Sequence, residues 1–322
     1  MSSGTEIREA VRLLSTARYP ADVFPDDPDQ ARKRYRQLAG LLHPDRNPAT
    51  EDVFAKLTTL WNEYQNPAPS VIHGDIADLF PVPEGLLKIT RQPADNDLMA
   101  REAEALTRLH FSDLEKYQAF FPELISAGRQ RDPATGNIRH VNTLRRLEGF
   151  FTLEEVQRAY PAGLEPRDIA WIWRRVLTAL GAAHSAGIIH GAVLLPHIMI
   201  HPADHGLVLV DWCYSSSQKN MRIPAVVRKY KYCYAPEILN KEVPSPAADI
   251  YMAAKVMAAL LGDPGKPGYY QLLAFAKGCM HQRPTWRPQQ AWRLLKELDE
   301  LLERIFGPPR FHPFAMPANV SN

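Results

Sequence analysis

The sequence predicts an α+β protein in two parts, a small all-helical module followed by a larger domain that mixes strands and helices. Three observations predict it. A chain of 322 residues suits one small and one large domain. Apolar residues recur at helical spacing on both sides of the tripeptide His43-Pro44-Asp45. Beyond a proline-bearing break, Gln65-Asn66-Pro67-Ala68-Pro69-Ser70, short apolar strand-like runs are interspersed with helical patterns. The boundaries read as 1–66 for the module, 67–70 for a linker, 71–305 for the large domain and 306–322 for a loosely held tail.

Composition narrows the classes. At 45% hydrophobic and 23% charged residues the chain buries a sizeable core and is not disordered. A net charge of +2 argues against nucleic acid or a membrane surface as partner. Cys213, Cys233 and Cys279 lack metal-ligand spacing and cannot all pair, so reduced thiols and a cytoplasmic location are expected. The N-terminus is polar and acidic, unlike a signal peptide. Residues 176–203 contain no Asp, Glu, Lys or Arg, which is long enough for a membrane span. His184, Gly187, His190, Gly191, Pro196, His197 and His201 interrupt that stretch, so it reads as a buried helix that stops, turns and becomes strands.

In the small module, residues 29–42 form a helix, with Asp27 or Asp29 as cap and Pro28 in the first turn. Tyr35, Leu38 and Leu42 share one face, while Arg32, Lys33, Arg34 and Arg36 crowd the rest. Pro44 stops the helix. A second helix runs from about residue 51 to 64, with Phe54, Leu57, Leu60, Trp61 and Tyr64 inward. The two must pair as an antiparallel hairpin whose loop presents His43 and Asp45 to solvent. Upstream, either residues 7–14 pack on the hairpin through Val11 and Leu14, or Val23-Phe24 supplies the anchor. Residues 1–65 hold nine Lys/Arg and ten Asp/Glu, with the positive charge concentrated on one helix. That favours a specific acidic partner.

The run YRQLAGLLHPDRNP followed by FAKLTTLW resembles the J-domain, the module by which co-chaperones trigger ATP hydrolysis in an Hsp70 partner. The resemblance implies that His43, Pro44 and Asp45 stimulate the Hsp70, and that Arg32, Lys33 and Arg36 dock on its acidic surface. The usual first helix of that family is replaced here by EIREAVRLLSTARYPADVF.

Residues 71–305 resemble a protein kinase, which implies a bilobal domain with a β-rich N-lobe and a helical C-lobe. The segment AAHSAGIIHGAVLLPHIMIHPADHGLVLVDW is similar to the kinase catalytic and metal-binding loops, ending at Asp211. Ala235-Pro236-Glu237 is similar to the segment closing the activation loop, Asp249 to the aspartate heading the large C-lobe helix, and Arg287 to the arginine that pairs with Glu237. Upstream, Lys88 in GLLKI looks like the phosphate-anchoring lysine and Glu102 like its ion-pair partner. Gly74 stands in the glycine-loop position, and Glu148-Gly149-Phe150 fits the hinge.

The kinase pattern breaks where chemistry is done. Phosphoryl transfer needs positioning, metal and a carboxylate base. Here Ala192 occupies the base position, and Gly191 replaces the arginine after His190. His197 stands where the family has a metal-binding Asn, although imidazole is a poor ligand for magnesium. Ile76 and Leu79 lie near the positions of lost glycines, and Asp75 and Asp78 would repel phosphates unless turned outward. Trp212 and Cys213 follow Asp211 where Phe and Gly are usual.

This is the profile of a pseudokinase, with ATP and Mg²⁺ as the cofactors the resemblance implies and the sequence leaves open. The expectation is a co-chaperone whose kinase-like domain recognises a protein client, a partner or a nucleotide. The alternative is an atypical kinase or nucleotide transferase using Lys88, Glu102 and Asp211, with His197 or His190 as base. A third reading is a scaffold using Trp171, Trp173, Tyr230, Tyr232, Tyr234, Phe311 and Phe314, the three alternating tyrosines packing inward together.

Overall fold

The computed structural model describes residues 3–17, 20–25, 27–44, 47–65, 71–111, 114–132, 135–217 and 221–317, and over these the chain is α+β. It divides into two compact units, Met1–Val71 and Ile72–Asn322. The expected linker at 67–70 lies outside the described residues.

The first unit has three helices, α1 (Ser3–Thr16), α2 (Pro28–Leu42) and α3 (Glu51–Gln65). Asp27, not Asp29, caps α2, accepting from the Gln30 amide at 2.8 Å, with Pro28 in the first turn. At the other end His43 turns to φ −58°, ψ 128° ahead of Pro44, the extended conformation that a following proline imposes. The last carbonyls of α2 are then satisfied from across the loop. Asn47 Nδ2 donates to Leu41 at 2.8 Å, and the buried Thr50 hydroxyl donates to Leu42 at 2.8 Å. Tyr35 stacks on Trp61 near the open end of the pair, and His43 meets Phe54 at the loop end, so α2 and α3 run antiparallel. Both upstream anchors are used. Leu14 of α1 is fully buried, and Phe24 packs edge-on against Trp61 at 5.2 Å. Val11 is only half-buried.

The second unit begins with an antiparallel sheet of β1 (Ile72–His73), β2 (Ala77–Val82), β3 (Gly85–Thr90), β4 (Leu124–Arg131) and β5 (Ile138–Leu144), in the order β1-β2-β3-β5-β4. Helix α4 (Asn96–Phe111) buries Leu98, Met99, Ala105, Leu106 and Leu109, a period-3.6 stripe, and packs on β4 and β5.

The remainder is mainly helical. A short sheet of β6 (Phe151–Thr152), β7 (Ile198–His201) and β8 (Gly206–Leu209) accompanies α5 (Leu153–Ala159) and α6 (Pro166–Ser185). A reciprocal Thr152–Glu155 capping box starts α5. Then follow α7 (Pro236–Leu239), α8 (Pro246–Leu260), α9 (Tyr269–Cys279) and α10 (Ala291–Phe306). Helix α6 is the core element, packed by α8 and α10, with Ile169, Ile172, Trp173, Val176, Leu177 and Leu180 inaccessible. The charge-free stretch 176–203 is the second half of α6, a turn and β7. Among the described residues, no helix is long and apolar enough to cross a membrane. All three cysteines are free and buried.

Two expectations are corrected here. The tail is held over residues 311–316: Phe314 is buried beside Tyr160 and Trp171, Phe311 lies on His205, and the Tyr160 hydroxyl donates to the Ala315 carbonyl. The tyrosines before Ala235 do not share a face. Arg228–Cys233 is a 3₁₀ segment rather than a strand, so Tyr230 and Tyr234 are buried while Tyr232 is 66% exposed.

Trp61 joins all three aromatic neighbours of its unit, Phe24, Tyr35 and Tyr64. Trp61→Ala is expected to cost about 3–5 kcal/mol, the range for removing a buried tryptophan. Amide hydrogen exchange over residues 28–65 of the full chain measures this; protection within 1 kcal/mol of the parent would contradict that packing role.

Candidate functional site

The loop between α2 and α3 exposes His43, whose ring leans edge-on against Phe54 at 5.3 Å, with Pro44 half-buried beside it. Asp45 lies outside the described residues. Arg32, Lys33 and Arg36 are exposed on α2, one turn of helix presenting three cations above this loop.

The second unit assembles a buried polar centre. Lys88 sits on β3, a central strand, and is 5% exposed. Its Nζ donates to Glu102 Oε1 of α4 at 2.8 Å and to Asp211 Oδ1. Burial opposes the charge on Lys88, but Asp211 and Glu102 together hold its ammonium well above the ordinary lysine range. Asp211 follows β8 in a left-handed conformation, φ 68° and ψ 52°. Its Oδ2 lies 3.1 Å from His197 Nε2, and Oδ1 also accepts from the Cys213 thiol at 3.2 Å. Burial works against the Asp211 charge as well, yet Lys88 and His197 hold the carboxyl well below the usual carboxylate range.

The loop at residues 190–192 is pinned by a carboxylate of α8. Asp249, fully buried in the first turn of α8, accepts from the amides of His190 at 2.8 Å and Gly191 at 2.9 Å, and contacts His184 Nε2 at 2.9 Å. His190 Nε2 donates to the Val210 carbonyl at 2.9 Å, and its Nδ1 accepts from the Ala192 amide at 3.2 Å. That pattern is one neutral tautomer. Burial pushes its pKa down to about 4. His190 is therefore a structural strut, unsuited to the role of base. Gly191 has φ 77°, and a Cβ there would lie 2.7 Å from the Tyr214 carbonyl, so glycine is required. Ala192 is completely buried and offers the site only its carbonyl, which faces His197 Nδ1 at 2.8 Å.

The β1–β2 turn roofs this centre. Gly74 closes a tight turn, its amide donating to Ala77 at 2.9 Å. Of the two acids in this region, Asp78 is half-buried and paired with Arg91 at 2.8 Å and His73 at 2.9 Å. Asp75 is exposed, yet its Oδ2 accepts from the buried Tyr214 hydroxyl, and one oxygen or nitrogen each of Asp75, His197 and Asp211 lie within 4.8 Å of one another. Glu148, between β5 and β6, is exposed.

These residues do not fit a magnesium ion. Magnesium demands hard oxygen ligands in near-octahedral array. Asp211 Oδ1 already accepts from Lys88 and Cys213, and His197 offers the cluster nitrogen rather than oxygen. A phosphate chain would further meet the Asp75 carboxylate beneath the turn that should cradle it.

Glu237 and Arg287 form a buried bidentate pair at 2.7 and 3.0 Å, with Arg287 also donating to the His281 and Gln282 carbonyls. Sequence reasoning missed Asn142, which donates to Glu102 Oε2 and to the Met99 carbonyl, both at 3.0 Å. Its signal was a lone carboxamide at an inward strand position. It also missed the Tyr214–Asp75 contact, for which no local pattern exists.

Glu237→Ala is expected to cost about 3–5 kcal/mol, because it strands a buried guanidinium. Glu237→Leu with Arg287→Met should cost less than the single change, as urea unfolding of the full chain will read. His190 carries a pH dependence. Its native pKa is depressed below the unfolded value, so its stability contribution is present above about pH 6.5 and lost as pH falls towards 4, about 3 kcal/mol in all. Comparing urea midpoints of the parent and His190→Gln across that window should show a shallower slope in the variant. Comparison with known proteins adds no relative: no protein-family model matches the chain, and no curated protein does.

Proposed function

We propose that the chain is a J-domain co-chaperone that stimulates ATP hydrolysis by an Hsp70 partner in the cytoplasm, and that its second unit is a catalytically impaired, kinase-like recognition domain for a protein client or partner. The observation that carries the reading is the hairpin of the first unit. Its basic helix exposes Arg32, Lys33 and Arg36, and the loop closed by Asn47 and Thr50 leaves His43 exposed at the end of that helix. A solvent-facing imidazole beside a rigid proline, below three cations, suits contact with an acidic protein surface. The buried core of this unit is formed by Leu14, Leu38, Leu42, Leu57 and Trp61, while His43 touches Phe54 from an exposed position.

For the second unit, the support is the loss of a base. The only group Ala192 turns towards the centre is its carbonyl, and His190 is neutral and fully engaged. A second reading, an atypical kinase or nucleotide transferase, draws on one observation, the convergence of Lys88, Glu102 and Asp211. It requires the Lys88–Asp211 contact to open and admit a nucleotide.

His43→Gln is expected to abolish stimulation of Hsp70 ATPase in single-turnover assays while leaving the melting curve unchanged. Stimulation by the variant equal to that of the parent would refute the co-chaperone reading. Label transfer from γ-labelled ATP to the chain or a generic protein, lost in Asp211→Ala, would establish the second reading in place of the recognition role.

A further inference from the structure

Residues 311–316 are held on the second unit in the manner of a separate peptide. Past Gly307, which caps α10, Pro308, Pro309 and Arg310 are exposed. Among the described residues, no backbone–backbone hydrogen bond joins 308–317 to the rest of the unit. The hold comes from side chains. Trp171 of α6 stacks on His205 of the β7–β8 turn at 4.0 Å, 7° from parallel. Phe311 lies on the His205 ring at 4.5 Å, and Phe314 sits against Tyr160 at 5.7 Å and Trp171 at 6.0 Å. Tyr160, which caps α5, donates its hydroxyl to the Ala315 carbonyl. Between the two rings, Pro313 fixes its own φ and keeps His312 extended, which lowers the entropy lost on docking.

One group of this shelf is left unmatched. Asp168 stands one turn before Trp171 on the same face of α6 and is 9% exposed. Its Oδ1 has no hydrogen-bond partner among the described residues. Burial raises its pKa to about 6, against the pull of His312 and Trp171. A buried carboxyl oxygen without a donor is costly, and a cation brought to it from the docked segment would remove that cost. The tail therefore fits the shelf with its rings and leaves the acid beneath them poorly served.

We propose that this shelf is a peptide-recognition site occupied in cis by residues 311–316, and that its partner is an extended segment of another protein with two aromatic residues three positions apart and a lysine or arginine between them. The cation meets Asp168 where His312 now stands. This deepens the recognition role proposed for the second unit and rests on it. A tethered segment competes at an effective concentration in the millimolar range, so a free peptide is best seen when the tail has lost its rings.

The experiment is fluorescence anisotropy of two labelled peptides, residues 307–317 and the same segment with His312→Lys, added to the full chain and to its double variant Phe311→Ala, Phe314→Ala. The double variant should bind both saturably, the lysine peptide about fivefold more tightly. The parent should bind about tenfold more weakly than the double variant. Adding Asp168→Asn to the double variant should erase the lysine preference and leave the parent peptide bound. No saturable binding to the double variant, or equal binding of the two peptides, overturns the proposal. So does a parent that sediments as a dimer absent from the double variant, because the occupant is then the tail of a second copy. Should the double variant fail to fold, a nitroxide-bearing lysine peptide at millimolar concentration must broaden the Trp171 indole N–H signal of the parent, assigned through Trp171→Phe; an unbroadened signal overturns the proposal. Failure here without label transfer in the ATP assay strikes this shelf and leaves the recognition role to another surface.

Discussion

The second unit hangs on one buried carboxylate, that of Asp249. It lies in the first turn of α8 with no solvent access, and it accepts from two consecutive backbone amides, His190 and Gly191. From there a continuous relay of polar contacts runs through the fold. The His190 ring receives the Ala192 amide, the Ala192 carbonyl receives His197, and His197 meets Asp211. Asp211 receives Lys88, Lys88 reaches Glu102, and Glu102 receives Asn142 on β5. Each member satisfies the next, and in a site this dry an unpaired member would cost more than the pair contributes. One row of contacts thus ties the helical half to the sheet.

The sign of charge along that row decides what the centre can accept. Three carboxylates, Glu102, Asp211 and Asp75, lie around the Lys88 ammonium and the His197 ring. Phosphate anions would enter a place already holding more negative than positive groups, beside the exposed Asp75, whose carboxylate accepts from Tyr214. Coulomb repulsion at these separations is substantial even at the effective dielectric of a protein interior. The same arrangement explains why a glycine-poor turn is tolerated there. A turn that does not have to approach phosphates is free to carry Ile76, which packs against the core.

Much of this was legible because buried charge chemistry is restrictive. Lys88, Glu102, Asp211, Asp249, Glu237 and Arg287 are singled out by resemblance to the kinase pattern, and buried charges of this kind must find partners. The hairpin of the first unit was legible from periodicity, with Leu38, Leu42, Leu57 and Trp61 on the facing stripes. What stayed hidden depends on distances across the fold. Asp75 meets Tyr214 over 139 positions of chain, and nothing local to either residue announces it. The tail reads as loosely held, with docking of Phe311 and Phe314 left open, because their partners Tyr160, Trp171 and His205 lie far upstream. The alternating tyrosines misled because a period of two reads as one sheet or loop face packing inward, whereas 3₁₀ geometry sends the middle one outward.

The two units handle their chemistry in opposite ways, and this bears on what the kinase-like residues mean. In the first unit Arg32, Lys33 and Arg36 of α2 and the residue His43 are exposed, where the stabilising value of a charge is small. In the second, Lys88, Glu102 and Asp211 are sealed in mutual contact. Removing any one leaves another's charge buried without a partner, a loss of about 3–5 kcal/mol. Their presence is therefore accounted for by stability alone and requires no nucleotide. Ala192 is under no such electrostatic constraint. Its position asks only for a small buried side chain and a carbonyl aimed at His197, and a carboxylate there would add another negative charge beside Asp211 and Asp75. The small residue at position 192 and the buried lysine are thus two consequences of one closed charge arrangement.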